Sequence, residues 1–126
     1  MSEESDMASK NKKSNPILRE TIYQLKRVSR ENDAPVWRDV AKRLERSRRN
    51  WSEVNISKLS FLEEGETAVI AGKLLGAGLI DRAVKVAAFS YSESAAQKIT
   101  SAGGEIMSIP DLAKQNPKGS NVRIMG

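Results

Sequence analysis

Apolar residues in this chain recur first with a helical period and later with a strand period, and the change falls near Trp51. Asn15-Pro16 can open a helix, because Asn caps and Pro is tolerated at the first helical position. Leu18, Ile22, Leu25 and Val28 then follow at the spacing of one buried face. Arg19, Tyr23, Lys26 and Arg30 share a second face of that helix, which SREND breaks. Asp33 is the expected cap of a second helix, with Pro35 in its first turn and Val36, Val40 and Leu44 as its buried stripe, supported by Trp37 and Ala41. Arg38, Lys42, Arg46 and Arg49 recur two residues out of phase with that stripe, about 200° around a helix of 3.6 residues per turn. The second helix therefore has an apolar side and a basic side.

From Trp51 the alternation of Val54 and Ile56 with polar neighbours predicts a short strand. ETAVIAG reads as a buried strand ending at Gly72, and AVKVAAFSY as another over Ala83 to Ser90. SESAAQKITSAGG predicts a helix capped by Ser92 or Ser94, with Ala95, Ala96 and Ile99 inward and glycines at its end. EIMSI is a strand, Pro110-Asp111 opens one short helical turn, and NPKGSNVRIMG is a turn-rich tail. Two helices followed by short strands and one or two further helices make a small α/β domain, expected over residues 15–126. The opening MSEESDMASKNKKS has no apolar periodicity, and residues 1–14 are expected to be a disordered tail. Its acidic start and lack of an apolar core do not suit a signal peptide.

Composition narrows the chemistry. The 126 residues include no cysteine and no histidine. Disulfides, thiolate chemistry, the usual zinc ligands and every catalytic pair that needs histidine are thereby excluded. A metal could be held only by carboxylates and carbonyls. No stretch reaches the roughly 18 apolar residues of a membrane span.

Charge narrows it further. The net charge is +5, and its distribution is uneven: residues 1–60 carry 14 basic and 9 acidic side chains, residues 61–126 carry 7 and 7. From Lys10 to Lys58 the balance is 14 against 6, an excess of 8. Such asymmetry points to a polyanionic partner. The candidate contacts are Lys26, Arg27 and Arg30 on the first helix, Arg38, Lys42 and Arg43 on the second, and Arg46, Arg48 and Arg49 after it. Arginine and lysine neutralise phosphates, and an aromatic ring can stack on an unpaired base. Trp51, beside these arginines, could stack in this way or plug the seam between helices and sheet; Tyr23 is similarly placed among cations.

Two other motifs carry less. GKLLGAG, from Gly72 to Gly78, departs from the phosphate-loop pattern G-x-x-x-x-G-K-S/T and from the dinucleotide pattern G-x-G-x-x-G. A tight turn is the plainer account of its glycines, and close approach of a phosphate backbone to Gly72 and Lys73 is the functional one. Glu63, Glu64 and Glu66 surround Gly65 on a turn, where carboxylates are ordinarily solvated. No catalytic constellation, cofactor motif or small-molecule site is visible, and an enzyme is not expected.

Five strings in order, AKRLERSRRNWSEVNISKL, GKLLGAG, SESAAQKI, AGGEIMSI and NPKGSNVRIMG, give the chain from about Asn15 to Gly126 a resemblance to a known family. It resembles the L-eighteen-e large-subunit ribosomal proteins of archaea and eukaryotes, related in fold to protein L-fifteen. Its short form is closer to the archaeal type. The resemblance implies a structural component of the cytoplasmic ribosome that contacts large-subunit ribosomal RNA and neighbouring ribosomal proteins. It also implies a compact α/β domain of irregular strand-strand-helix turns after two N-terminal helices. By motif it assigns RNA contact to Arg38, Lys42, Arg46, Arg48 and Arg49, backbone approach to Gly72-Lys73, and RNA-facing roles to Lys118 and Arg123. The opening MSEESD matches no part of the family pattern that can be placed. The alternative is a free-standing RNA-binding or ribosome-assembly factor.

Overall fold

A computed structural model of the chain describes residues 16–125. The expected tail over residues 1–14 and the capping role of Asn15 lie outside the described residues. Helix α1 spans Pro16–Asn32 and α2 spans Pro35–Leu44. The strands are β1 (Ser52–Asn55), β2 (Thr67–Leu75), β3 (Lys85–Tyr91), β4 (Glu105–Ser108) and β5 (Val122–Ile124). Helix α3 (Glu93–Ser101) lies between β3 and β4, and α4 (Ile109–Gln115) between β4 and β5. The observed order matches the α/β class expected from the period change at Trp51.

The two N-terminal helices form an antiparallel hairpin because the chain reverses at a single residue. Asp33 takes a left-handed backbone (φ 51°), and the Ala34 N–H donates to the Ser29 carbonyl at 3.0 Å. This is the hydrogen-bond pattern of a Schellman end, with Asp33 where glycine is usual. Asp33 therefore ends α1 and does not cap α2: the cap position of α2 is Ala34, which makes no side-chain bond. An Asp can supply a cap only from extended backbone, and here its backbone is committed to the reversal.

All five strands are parallel. In space they run β1-β2-β3-β4, with β5 also on β2. Strand β5 pairs with the first half of β2 (Thr67↔Val122) and β1 with the second half (Ser52↔Gly72). Since β3 occupies the other edge of β2 along both halves, β1 and β5 share one edge end to end. Strand β2 is buried on both faces, which is why ETAVIAG reads as a continuous apolar run. Val69 and Ala71 face a core with Leu25, Trp37, Leu44 and Leu112, while Ala68 and Ile70 face one with Ile56, Leu59, Val86 and Ile99. The molecule has three layers: α1, α2 and α4, then the sheet, then α3 with the 3-10 helix Ile56–Phe61.

Three expectations shift. Ile56 begins that 3-10 helix and is not part of a strand, because it folds over the end of the sheet into the second core. Helix α2 ends at Leu44, so Arg46 and Arg49 leave its basic side and sit in the connection to β1. Strand β2 continues through Gly72 to Leu75, so Gly72-Lys73 is not a turn. A Cβ at Gly72 would lie 2.1 Å from the Ser52 carbonyl oxygen, so this glycine admits the backbone of β1.

Candidate nucleic-acid interface

The helical hairpin sets the geometry of the basic residues. Helix α2 buries Trp37, Val40, Ala41 and Leu44, which turns Arg38 and Lys42 to solvent. Helix α1 buries Thr21, Leu25 and Ser29 along its central line, with Leu18, Ile22 and Val28 partly covered beside them. Lys26 and Arg30 then meet Arg38 and Lys42 across one surface groove of about 580 Å³, together with Ser29, Asp33, Ala34, Pro35 and Glu45. Four cations face two carboxylates there. One carboxylate, Glu45, is bound to Lys26 at 2.7 Å between groups about 44% exposed. Such a pair contributes at most about 1 kcal/mol and yields readily to a competing polyanion.

Immediately after Glu45 the chain makes a short 3-10 turn over Arg48–Asn50, and every residue from Glu45 to Asn50 is exposed. Among the described residues, Arg30, Arg38, Lys42, Arg46 and Arg49 take part in no ion pair. Arg27 approaches Glu31 at 4.0 Å, one turn along α1, and half-buried Arg43 donates to Asp39 at 3.4 Å. Lys26, Arg27 and Arg43 are thus the helical cations of this set that have a carboxylate partner.

Trp51 sits at the seam between hairpin and sheet. Its Nε1–H donates to the Arg46 carbonyl at 3.1 Å, and its ring meets Phe89 of β3 edge-on at 5.2 Å. The Arg48 guanidinium carbon lies 5.0 Å over the ring. Trp37, on the apolar side of α2, is fully buried and donates from Nε1 to the Asn116 and Pro117 carbonyls at 3.2 and 3.1 Å. Tyr23 is 64% exposed on the same face of α1 as Lys26 and Arg30.

The remaining expected residues are placed apart. Lys73 is exposed on β2, in register with Glu53 of β1. Arg123 on β5 is exposed and lies along the surface of its own chain, donating to the Phe61 carbonyl at 3.1 Å and to Glu66 at 3.3 Å. Glu66 in turn accepts from the Glu63 N–H at 2.8 Å, so this acidic turn uses one carboxylate to hold itself and the tail. Lys118 is exposed in a turn closed by Asn116 and Ser120, and Trp37 pins that turn beside the start of α2. The tail is thus brought to the hairpin through Lys118, while Arg123 is held at the opposite layer.

The GKLLGAG loop is held by a lysine of its own chain. Lys98 on α3 donates to the Gly76 and Gly78 carbonyls at 2.8 and 3.1 Å, so the loop presents oxygens to a cation of its own chain. Gly76 is there because a Cβ would lie 2.1 Å from Ser94 Oγ at the start of α3. Local sequence carries no signal for the Lys26–Glu45 pair or the Lys98 contacts, because both arise only when distant segments pack. Among the described residues there is no cluster of carboxylates fit to hold a metal, and no helix long and apolar enough to cross a membrane.

A basic groove running into an arginine-rich connection suits a folded polyanion. The family model described as "Ribosomal protein 60S L18 and 50S L18e" matches residues 1–126, including the acidic opening. The chain is 51% identical over 120 residues to the large ribosomal subunit protein eL18 of Methanospirillum hungatei, covering 94% of this chain and 99% of that one. It is 50% identical over 114 residues to that of Methanoregula boonei, covering 90% and 94%. With that of Archaeoglobus fulgidus it shares 51% over 115 residues, covering 90% and 98%. These three relatives are archaeal, and this chain belongs to the eL18 family of large-subunit ribosomal proteins.

Proposed function

We propose that the chain is a structural constituent of the large ribosomal subunit that binds large-subunit ribosomal RNA and so supports translation in the cytoplasm. The observation that carries this reading is the groove between α1 and α2, where Lys26, Arg30, Arg38 and Lys42 converge. It continues into Arg46, Arg48 and Arg49, which extend the same positive field. Phosphate contacts from these side chains would position the domain, and recognition would come mainly from RNA shape. Lys118, exposed in the turn that Trp37 fastens, would add a further phosphate contact. Neighbouring ribosomal proteins are the natural partners of the layer opposite the hairpin, where Phe61 is 69% exposed.

Sedimentation of a cell lysate through a sucrose gradient, before and after a high-salt wash, tests this. Stoichiometric recovery with the large subunit after the wash is the expected result. Recovery at the top of the gradient, or complete release by salt, would replace it with a transient RNA-binding or assembly factor.

A further inference from the structure

We propose that Trp51 is a positioning residue of the RNA-binding face, holding the 46–49 connection in the geometry that meets phosphates, and is not a platform for a base. This rests on the RNA-binding function proposed above.

Three arginines within four positions repel one another and would splay if the connection were loose. Backbone bonds supply part of the restraint: Asn50 N–H to the Ser47 carbonyl at 2.8 Å, and Trp51 N–H to the Arg48 carbonyl at 3.0 Å. The indole supplies the rest. Its Nε1–H reaches back five residues to the Arg46 carbonyl at 3.1 Å and closes the loop. Phe89, meeting the ring at 5.2 Å and 73°, ties that closure to the sheet. A rigid path therefore runs from β3 through the indole to the arginine-bearing backbone.

Arg48 completes the arrangement. Its guanidinium carbon lies 5.0 Å over the indole, a cation–π contact that spends none of its N–H donors. None of those donors has a partner among the described residues. Arg48 is thus held by a contact that leaves its phosphate-binding edge unused. A base could stack on the side of the indole that Arg48 covers only by displacing it, and Phe89 takes up a further contact of the ring. Ordering the cations before RNA arrives lowers the entropy cost of binding, which is how a residue without an RNA contact raises affinity.

The test is a double-mutant cycle on the full chain, with filter binding to transcribed large-subunit ribosomal RNA. Trp51→Leu should weaken binding about tenfold, the scale of side-chain ordering and one cation–π contact. In a background with Arg46, Arg48 and Arg49 changed to Ala, the same substitution should cost less than about twofold, because nothing remains to position. An equal loss in both backgrounds would mean that Trp51 touches RNA itself, and the proposal would fail; so would an undiminished affinity of Trp51→Leu. Arg38→Glu with Lys42→Glu, which Trp51 does not touch, tests RNA binding separately. Normal binding by that variant overturns the functional reading, whereas weakened binding beside an additive cycle overturns the positioning role alone. Should Trp51→Leu not fold, the unsubstituted protein decides. Its Trp51 indole N–H should stay protected from exchange when RNA is added, and a large ring-current shift would reveal a stacked base.

Discussion

Gly72 and Ser52 stand so close that a Cβ on Gly72 would lie 2.1 Å from the Ser52 carbonyl oxygen and 3.0 Å from its backbone nitrogen. Ser52 is also the residue paired with Gly72 in the parallel register of β1 and β2. The obstacle is backbone, which cannot rotate away as a side chain can. Gly72→Val should therefore cost at least about 1–3 kcal/mol, the scale of an overpacked core, and detach β1 from the sheet. Urea unfolding monitored by circular dichroism would check it. A folded Gly72→Val protein of unchanged stability that fails to join the ribosome would instead assign this position to RNA contact.

Reversal of Arg38, Lys42 and Arg46 to Glu should remove most RNA affinity and leave the melting temperature close to that of the unsubstituted protein. All three side chains are exposed, and among the described residues none is in an ion pair. The dependence of log K on log salt should become shallower by roughly 0.7 to 0.9 for each phosphate that is no longer neutralised. Filter binding at three salt concentrations measures that slope.

Trp37→Phe removes the donor that holds the Asn116 and Pro117 carbonyls, 79 and 80 residues away in sequence. Because phenylalanine also leaves part of the indole's fully buried space empty, the loss should be about 1–3 kcal/mol, from the missing hydrogen bonds and the cavity together. Because this bond fastens the Asn116–Ser120 turn to α2, proteolysis after Lys118 should accelerate in step. Denaturant unfolding combined with limited trypsin digestion reads both.

Asp33 holds a left-handed backbone at the reversal between α1 and α2. Asp33→Gly should be neutral or stabilising by less than about 1 kcal/mol, since glycine adopts this conformation without penalty. Asp33→Val should cost about 1–2 kcal/mol, the steric penalty of a left-handed residue. Thermal melts of the two variants, compared with each other, isolate the backbone effect from the loss of the carboxylate.

Sequence alone determined the class of this domain, because period is a local property. The apolar spacing of Trp37, Val40, Ala41 and Leu44 and the unbroken apolar run of β2 follow from residues near one another in the chain. The basic character of the N-terminal half was equally legible, as was the family, through five ordered strings. Tertiary structure decided which charges are available. The Lys26–Glu45 pair, the bonds of Arg123 to Phe61 and Glu66, and the Lys98 grip on the glycine loop join segments at least 19 residues apart. No periodicity encodes such meetings. It also decided that Arg46 and Arg49 leave the helix, that Gly72 serves a neighbouring strand, and that the Trp51 indole contacts both Phe89 and Arg48. Side-chain chemistry proposes the partners a residue could take, but only packing settles which of them comes within reach.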